Sequence, residues 1–477
     1  MALLVSLKPS TLEKPGRHSP PAEQSNGRNP LDPLLPALQS LVDARRFSSK
    51  TSFISAIRAC SATLSISQAK PIHALIFKAG LSSDRFVATS LIDLYSSSGF
   101  LHHARQVFDG ITDRDVILET SMLKALLDNG EFEHANDLFD EMPERDVVAW
   151  NAMICGCSQC GLPEYALELF RGMQASVVRP NRITFIGVLS ACSQLGCLPL
   201  GLWVHAYVNR YLDGDESPAL YNALVHMYAK CGWLDVALQL FIKQEPKNLE
   251  SWNTMLNGFA IHGCGTGALS LFSQMIKIGL LPDRISFIGV LMACSHAGLI
   301  DDARDCFYLM RRMYSIEPKA EHYGCLVDAL CRGGYIDEAW MVIKSMPFEK
   351  NAGVYGALLG GCLRYCNYGL GLEVARHLIE IEPWEESRYM ALVKLYAMLG
   401  RDEEAMNVRK VLNEKGIKKS SGSSAIEIDG VVHEFLAKDR AHCQSEDIYS
   451  MLDVLGSTLE FEWVNDMQTM WDTIDTN

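Results

Sequence analysis

The chain has 477 residues, 48% apolar and 21% charged, a balance typical of a globular protein that excludes a disordered or fibrous one. No window holds the roughly 18 apolar residues that a membrane-spanning helix needs, so we expect no membrane partner. The formal net charge of −14 argues against a nucleic-acid partner. However, residues 446–477 contain eight acidic and no basic residues, so this objection is weakened for the rest of the chain.

Residues 1–49 are rich in serine, proline and leucine. Before position 30, four basic residues outnumber two acidic ones: Lys8, Lys14, Arg17 and Arg28 against Glu13 and Glu23. This composition is compatible with an organelle transit peptide, and an unstructured N-terminal extension is the alternative. We therefore expect a mitochondrial or chloroplast protein, with the mitochondrion slightly favoured.

From residue 85 to residue 351, a glycine followed five residues later by a small residue recurs eight times, with a period of 31 to 36. The pairs are Gly99/Ala104, Gly130/Ala135, Gly161/Ala166, Gly196/Gly201, Gly232/Ala237, Gly263/Ala268, Gly298/Ala303 and Gly334/Ala339. Self-similarity at this period is typical of a solenoid, in which one short unit is copied along the chain.

The segment 147–181 shows what one copy is. An apolar stripe at helical spacing begins at Trp150 and ends before Gly161, a residue suited to a left-handed helix stop. A second stripe follows Pro163, which fits the first turn of a helix, and Pro180 ends it. Each copy is thus predicted to be a helix–turn–helix, with the small residue at Ala166 allowing its two helices to approach closely.

One hairpin of about 30 residues cannot bury both of its stripes, so neighbouring copies must stack. We predict an all-α fold, a right-handed superhelical α-solenoid of stacked helix–turn–helix repeats, with no strand before residue 424. Large aromatic residues recur in register and are predicted to form its core: Trp150, Phe185, Tyr221, Trp252, Phe287 and Tyr323 in the first helices, and Phe108, Phe139, Phe170, Phe241, Phe272 and Phe307 in the second.

The segments 147–181, 218–248 and 249–283 resemble pentatricopeptide repeats. Copy lengths of 31, 35 and 36 resemble the short, plain and long variants of the plant PLS subclass. Copies 1 to 9 of the repeat array (50–351) span residues 50–84, 85–115, 116–146, 147–181, 182–217, 218–248, 249–283, 284–319 and 320–351. The hairpins at 352–419 resemble the E1 and E2 motifs, and Ile426–Phe435 with Asp439–His442 resembles the E+ extension (420–462). An acidic C-terminal tail (463–477) follows.

The resemblance implies a protein that binds single-stranded RNA, with one base read by the fifth and last residues of each copy. Thr89 with Asp115 and Thr120 with Asp146 imply G, Asn151 with Asn181 and Asn222 with Asn248 imply C over U, and Asn253 with Asp283 implies U. Long copies place Ile54, Ile186 and Ile288 at the fifth position, and Gly324 with Asn351 is uninformative. The implied RNA is 5′-GGYNYU-3′.

The resemblance also implies that the second residues of copies sandwich the bases: Phe86, Ile117, Val148, Ile183 and Ile285. The alternative is that the threonine and asparagine residues only cap or decorate exposed helix starts. That alternative does not account for polar and isoleucine fifth residues alternating in step with copy length.

Relatives with a complete terminal domain carry a zinc deaminase, marked by H-x-E and P-C-x-x-C motifs. No histidine in these 477 residues has a glutamate two residues later, and the only C-x-x-C, Cys157 to Cys160, ends a repeat helix. We therefore expect a non-catalytic protein without cofactor or metal.

The expected function is site recognition for C-to-U editing of organelle transcripts. A deaminase-bearing DYW-type pentatricopeptide repeat protein and other editing cofactors would act in trans. One alternative is a factor for organelle RNA processing, splicing or stability. Another, of a different class, is a protein–protein interaction solenoid of the tetratricopeptide type.

Overall fold

The computed structural model describes residues 50–63, 66–211, 217–348, 350–416, 423–428, 431–436, 440, 442 and 444–455. The predicted N-terminal extension (1–49) and acidic tail (463–477) lie outside these residues, as does part of the predicted E+ like extension. The chain divides into two compact units, residues 1–361 and 362–477. None of the helices in the described ranges is long and apolar enough to cross a membrane.

The first unit is built from paired helices. They are α1 (Lys50–Thr63), α2 (Ile66–Lys78), α3 (Arg85–Ser97), α4 (Leu101–Asp109), α5 (Val116–Asp128), α6 (Phe132–Glu141), α7 (Val147–Gln159), α8 (Pro163–Ala175), α9 (Arg182–Leu195), α10 (Leu198–Tyr211), α11 (Pro218–Lys230), α12 (Leu234–Lys243), α13 (Leu249–Ile261), α14 (Gly265–Lys277), α15 (Arg284–Ala297), α16 (Ile300–Arg312), α17 (Ala320–Arg332), α18 (Ile336–Ser345) and α19 (Ala352–Arg364), which ends beyond the unit boundary.

The odd-numbered helices from α1 to α17 form one continuous layer, because each packs against the odd-numbered helix before and after it. Each even-numbered helix from α2 to α16 packs against its own hairpin partner and against the next odd-numbered helix. This is the arrangement expected when hairpins bury their second face on a neighbour. The prediction of an all-α solenoid is confirmed.

The glycine of each pair ends the first helix of its copy. Gly161 has a φ of +76°, and the N–H of Leu162 donates to the Cys157 carbonyl at 2.9 Å, which satisfies a helix-end acceptor. All eight glycines have φ between +63° and +90°. A residue with a Cβ would be strained there, so the recurrence of glycine follows from the turn.

The small residue five positions later lies at close helix packing. The seven alanines of the pairs are 0% exposed. In the remaining pair, Gly196/Gly201, a Cβ built on Gly201 would lie 2.5 Å from the sulfur of Met227 in the next copy. These positions therefore remain small because neighbouring helices leave no room for a larger side chain.

Aromatic rings join one copy to the next. Phe139 meets Trp150 edge to face with ring centroids 5.0 Å apart, and Phe272 meets Phe287 at 5.2 Å. Such pairs contribute about 0.5–1.5 kcal/mol beyond the area that they bury. The predicted aromatic core is confirmed except at Tyr221, which is only half-buried.

The second unit continues the hairpin design and adds a strand pair. Its helices after α19 are α20 (Tyr368–Ile381), α21 (Glu386–Met398) and α22 (Asp402–Glu414). Gly400 has a φ of +66° and Ala405 is buried, as in the repeats. Strands β1 (Ser423–Ile428) and β2 (Val431–Leu436) pair antiparallel, and residues 445–455 are helical. The first strand begins one residue before the predicted limit.

Candidate nucleic-acid interface

A row of exposed apolar side chains lies at the starts of the odd-numbered helices. The five predicted sandwiching residues are 51–60% exposed: Phe86, Ile117, Val148, Ile183 and Ile285. Each is the second residue of its helix, so the stacked layer repeats them in register. Large apolar residues exposed in a regular row are typical of an interaction surface.

The row is interrupted in the second half of the array. Ala219, Glu250 and Glu321 occupy the second positions of copies 6, 7 and 9. Ala219 offers little apolar surface, and the two glutamates add negative charge. The exposed apolar row is therefore limited to copies 2 to 5 and copy 8.

In copy 4 the predicted reader Asn151 is held by two neighbours. Its Nδ2 donates to Asn181 Oδ1 at 3.0 Å, and its Oδ1 accepts from the Thr184 hydroxyl at 2.6 Å. Asn181 Oδ1 also accepts the backbone N–H groups of Ile183 and Thr184, so it must be the oxygen. The orientation of the Asn151 amide is thereby fixed, with one N–H and one carbonyl lone pair remaining.

Copy 7 repeats this arrangement. Asn253 Nδ2 donates to Asp283 Oδ1 at 3.1 Å, and Asn253 Oδ1 accepts from the Ser286 hydroxyl at 2.6 Å. A cavity of about 650 Å³ opens beside them, lined by His226, Asn248, Leu249, Glu250, Asn253, Thr254, Asn257, Asp283, Ile285, Ile288 and Gly289. Predicted reading and sandwiching residues of copies 6 to 8 thus border one groove.

In copy 6 the structure does not bring the predicted pair together. Asn222 Oδ1 instead accepts from Gln244 Nε2 at 3.3 Å, and the Asn222 Nδ2 is buried without a partner among the described residues. Asn248 is exposed and accepts from the backbone N–H and hydroxyl of Ser251. Gln244 therefore lies between the two residues that were expected to act as a pair.

The threonine copies differ again. The Thr89 hydroxyl donates to the Arg85 carbonyl in its own helix at 2.8 Å. Thr120 is only 8% exposed, and its hydroxyl has no hydrogen-bond partner in the described part of the chain. An unpartnered buried hydroxyl costs about 1–3 kcal/mol, which a ligand could offset. Neither threonine hydroxyl is hydrogen-bonded to the last residue of its copy.

The last residues of the copies also cap helices. Asp115 accepts the Leu118 backbone N–H, and Asp146 accepts those of Val148 and Ala149. Asn181, Asn248 and Asp283 do the same for α9, α13 and α15. Capping is therefore one role of these last residues, although Asn181 and Asp283 also bond to the fifth residues of their copies. It does not account for the fifth residues, which lie one turn inside their helices.

The fifth residues for which no base was predicted have the following positions in the structure. Ile54, Ile186 and Ile288 are half-buried, and Ile288 contributes to the wall of the groove cavity. Asn351 caps α19 by accepting the Val354 N–H at 3.1 Å. Gly324 lies within α17 and offers no side chain.

Sequence reasoning missed four residues of this interface: Thr184, Ser251, Ser286 and Gln244. The first three are hydroxyl residues three positions after an asparagine or aspartate helix cap. That spacing resembles a capping box, and capping boxes are present at Asn181 and Asp283. The three hydroxyl residues could therefore have been predicted from this spacing. Gln244 has no comparable sequence pattern around it.

Titratable groups lie beside the exposed apolar row and beside the groove. Lys50 Nζ lies 4.1 Å from the centroid of the Phe86 ring and 2.6 Å from Asp84. Burial acts to raise the pKa of the Asp84 carboxyl, but hydrogen bonds from Lys50 and from backbone N–H groups outweigh it and hold the pKa below its usual value. Burial lowers the pKa of His226, with the nearby Lys230 charge adding to the effect.

The two cysteines of the C-x-x-C motif lie in different environments. Cys157 is fully buried, and burial raises its pKa to about 12, whereas Cys160 is exposed. A thiol with so high a pKa is a poor nucleophile and a poor metal ligand. In the described ranges, no three histidine, cysteine or acidic side chains are grouped so as to hold a metal ion.

Stacked helical hairpins of this length, with exposed second residues and polar fifth residues along one layer of helices, define a helical repeat protein. Models of the pentatricopeptide repeat (PPR repeat) match residues 86–116, 120–147, 219–243, 250–280, 285–314 and 321–349, a PPR repeat family model matches 145–194, and an E motif model matches 365–427.

Curated relatives come from Arabidopsis thaliana. A putative chloroplastic pentatricopeptide repeat-containing protein is 43% identical over 86% of this chain and 74% of its own length. A mitochondrial one is 41% identical over 84% of this chain and 59% of its own. A chloroplastic one is 35% identical over 86% of this chain and 51% of its own. The chain belongs to the pentatricopeptide repeat family, and the E motif fits the predicted PLS, E-type subclass.

The chain spans only about half to two thirds of the length of several curated relatives. The names of four relatives designate the chloroplast, the mitochondrion or both, which supports an organelle location. The preference for the mitochondrion stays a prediction.

Among solved structures, that of the maize pentatricopeptide repeat protein PPR10 with an 18-nucleotide psaJ RNA element is similar in fold. It has a TM-score of 0.62 and 18% identity, over 81% of this chain and 58% of that one.

Proposed function

We propose that this protein binds single-stranded organelle RNA in a sequence-specific way along its layer of odd-numbered helices. The observation that carries the proposal is a repeated pairing of two features. In copies 2, 3 and 4, an exposed apolar side chain at the second position of a helix is followed, one turn later, by a polar side chain at the fifth position. Aliphatic and aromatic side chains can stack on any base, and an oriented amide or hydroxyl can select among bases.

The fixed amides of copies 4 and 7 support base selection. Asn151 and Asn253 each retain one N–H and one carbonyl lone pair, which suits the mixed donor and acceptor edge of a pyrimidine. The unpartnered hydroxyl of Thr120 would gain a partner when a base binds. The proposed target is 5′-GGYNYU-3′, read from copy 2 to copy 7.

The test is retardation of short RNA probes by recombinant protein. Probes containing GGCNCU or GGUNUU should be bound, and Asn253→Asp or Thr120→Asn should weaken that binding. If each of five read bases contributes about 1 kcal/mol, a scrambled probe should bind about a thousandfold or more weakly. Equal affinity for cognate and scrambled probes would remove the proposal.

We further propose that the bound site lies next to a cytidine that is edited to uridine, with the zinc deaminase supplied by a DYW-type partner. The E motif at residues 365–427 and the organelle names of the relatives support this reading. Sequencing of organelle cDNA from a null plant tests it, since one or a few C-to-U changes should be lost. Altered transcript ends, with editing intact, would instead favour RNA processing or stability.

The tetratricopeptide-type alternative predicts a surface for peptides and requires no pattern at the fifth residues. The asparagine networks in copies 4 and 7 favour the RNA reading, because both orient an amide in the same way. The same gel-shift experiment separates the two readings. A protein-binding solenoid would retain neither probe selectively.

A further inference from the structure

Gln244 is a buried polar residue at a place where the other short copies have apolar side chains. It is the twenty-seventh residue of copy 6, and the matching residues of copies 2, 3 and 9 are Ile111, Met142 and Met346. All four are 2–5% exposed. A buried amide is unfavourable unless it is hydrogen-bonded, so its presence calls for a specific role.

The polarity of its hydrogen bonds can be derived from one backbone group. The Ser251 N–H donates to Asn248 Oδ1 at 2.9 Å, so that atom is an acceptor, and it also receives the Ser251 hydroxyl proton at 2.8 Å. With that proton given to Asn248, the Ser251 oxygen accepts from Gln244, which donates through Nε2 at 2.9 Å. The same Nε2 donates to Asn222 Oδ1 at 3.3 Å. The Oε1 of Gln244 is buried without a hydrogen-bond partner among the described residues.

These hydrogen bonds fix the orientation of the Asn222 side-chain amide. Its oxygen faces Gln244, and both protons of its Nδ2 are without a partner in the described part of the chain. In copies 4 and 7 the opposite holds, since Nδ2 donates to the last residue and the oxygen accepts a hydroxyl proton. The fifth-position asparagines are therefore oriented in two different ways.

We infer that Gln244 is a positioning residue that sets the base preference of copy 6 through Asn222. The inference rests on the proposed function. An amide that offers two protons matches the adjacent N3 and O2 acceptors of cytosine, whereas uracil has a proton on N3. The cytosine preference that Asn222 with Asn248 implies thus depends, in copy 6, on a contact with a third residue. Because Asn222 Nδ2 has no exposed surface here, side chains that cover it must move when the base binds.

The test compares wild type with Gln244→Met, which installs the residue that copies 3 and 9 already accommodate. Affinities are measured for GGCACU and GGCAUU, which differ only at the fifth base. Wild type should prefer the cytosine probe about fivefold, and Gln244→Met should reduce this ratio to about twofold or less. The GGUACU probe, changed at the base of copy 4, should be discriminated equally by both proteins.

Ser251→Ala is the second variant, because it removes the acceptor that orients Gln244. It should relax the same preference, and the double variant should relax it no further than either single variant. Thermal melting of each protein checks folding, and a merely structural role would lower affinity for both probes equally.

An unchanged cytosine preference in Gln244→Met, with wild type still selecting its probe over scrambled RNA, would overturn this inference alone. Loss of that wild-type selection would overturn it together with the proposed function.

Discussion

Two of the three asparagine copies, 4 and 7, hold their fifth residues differently from the two threonine copies, 2 and 3. In copies 4 and 7 the asparagine bonds both to the last residue of its own copy and to a hydroxyl in the next copy. In copies 2 and 3 neither bond is recorded: Thr89 bonds within its own helix, and Thr120 has no hydrogen-bond partner among the described residues.

The difference lies in the third residue of the following copy. Thr184 and Ser286 follow the asparagine copies, whereas Leu118 and Ala149 follow the threonine copies. In copies 4 and 7 the proposed reading group is thus three residues from two copies, oriented before RNA arrives. Pre-orientation lowers the entropy lost on binding. We therefore expect the pyrimidine positions of copies 4 and 7 to be selected more sharply than the two guanines.

The largest effect is expected from Thr184→Val, which removes a hydroxyl while keeping the shape. Thr184 is 0% exposed, donates to Asn151 Oδ1 and accepts the Asn181 N–H at 3.0 Å. Both partners would be left unsatisfied, so the free energy of unfolding should fall by about 2 kcal/mol. Urea denaturation measures the change.

The matched control is Thr89→Val in a threonine copy. Its hydroxyl donates only to a carbonyl of its own helix and is half-exposed, so the cost should stay below about 0.5 kcal/mol. Equal destabilisation by the two variants would contradict the distinction between the two kinds of copy.

Much of this fold could be predicted from the sequence because its determinants are local and repeated. Gly161 and Ala166 recur at fixed spacing since a left-handed turn and a close helix contact recur with them. The exposed second residues could be placed for the same reason. Periodicity predicts what every copy shares.

What differs between copies could not be predicted. The contact between Gln244 and Asn222 joins residues 22 apart whose separation in space depends on how the hairpin closes. Whether an asparagine meets its last residue depends on residues outside that pair. Copies 4 and 7 use a hydroxyl of the next copy, whereas in copy 6 the hydroxyl of Ser251 is present but Gln244 bonds to Asn222 instead. The capping pattern at Thr184 and Ser286 could have indicated these contacts, but only once it was linked to the preceding copy.

A double-mutant cycle tests whether the third residue decides the arrangement. Thr120→Asn alone should place a buried amide without its hydroxyl partner, while Thr120→Asn with Ala149→Ser should recreate the network of copy 4. The coupling free energy should be about 1 kcal/mol in favour of the double variant, measured by urea denaturation of all four proteins. RNA preference at the second base should move from guanine towards a pyrimidine only in the double variant. A coupling near zero would show that the third residue does not determine the network.

A smaller effect separates the asparagine copies by pH. The ninth residue is His226 in copy 6 and Cys155 in copy 4, and His226 lines the cavity that also contains Glu250 and Asp283. Burial, aided by the nearby Lys230, holds the His226 pKa below its ordinary value of 6.5, so its imidazole is neutral at pH 7. As the pH falls through this lowered pKa, protonation of His226 adds a cation beside the proposed RNA path. The affinity for RNA should therefore rise about two- to threefold between pH 7 and pH 5.5 at low salt.

Acidification should have the opposite effect on the stability of the free protein. Because the folded-state pKa of His226 is depressed, the folded protein resists this proton, and acidification should destabilise it unless RNA is bound. His226→Asn should abolish its share of the rise in affinity. A pH response of unchanged size in that variant would assign the effect to other groups.

The smallest effect concerns the two threonine copies themselves. Arg85 begins copy 2 and lies 3.5 Å from Asp115, whereas Val116 occupies the same place in copy 3, and no ion pair of Asp146 is recorded in the described ranges. Arg85→Gln should change stability by less than about 1 kcal/mol, because the pair is partly exposed. It should weaken RNA binding about twofold and lower the salt dependence of log Kd by up to about 1, as expected for the loss of one phosphate-neutralising cation. Val116→Arg should do the reverse, since it gives copy 3 the cation of copy 2. If neither variant changes the salt dependence, the two copies differ only in how their aspartates are held and not in how they meet the RNA backbone.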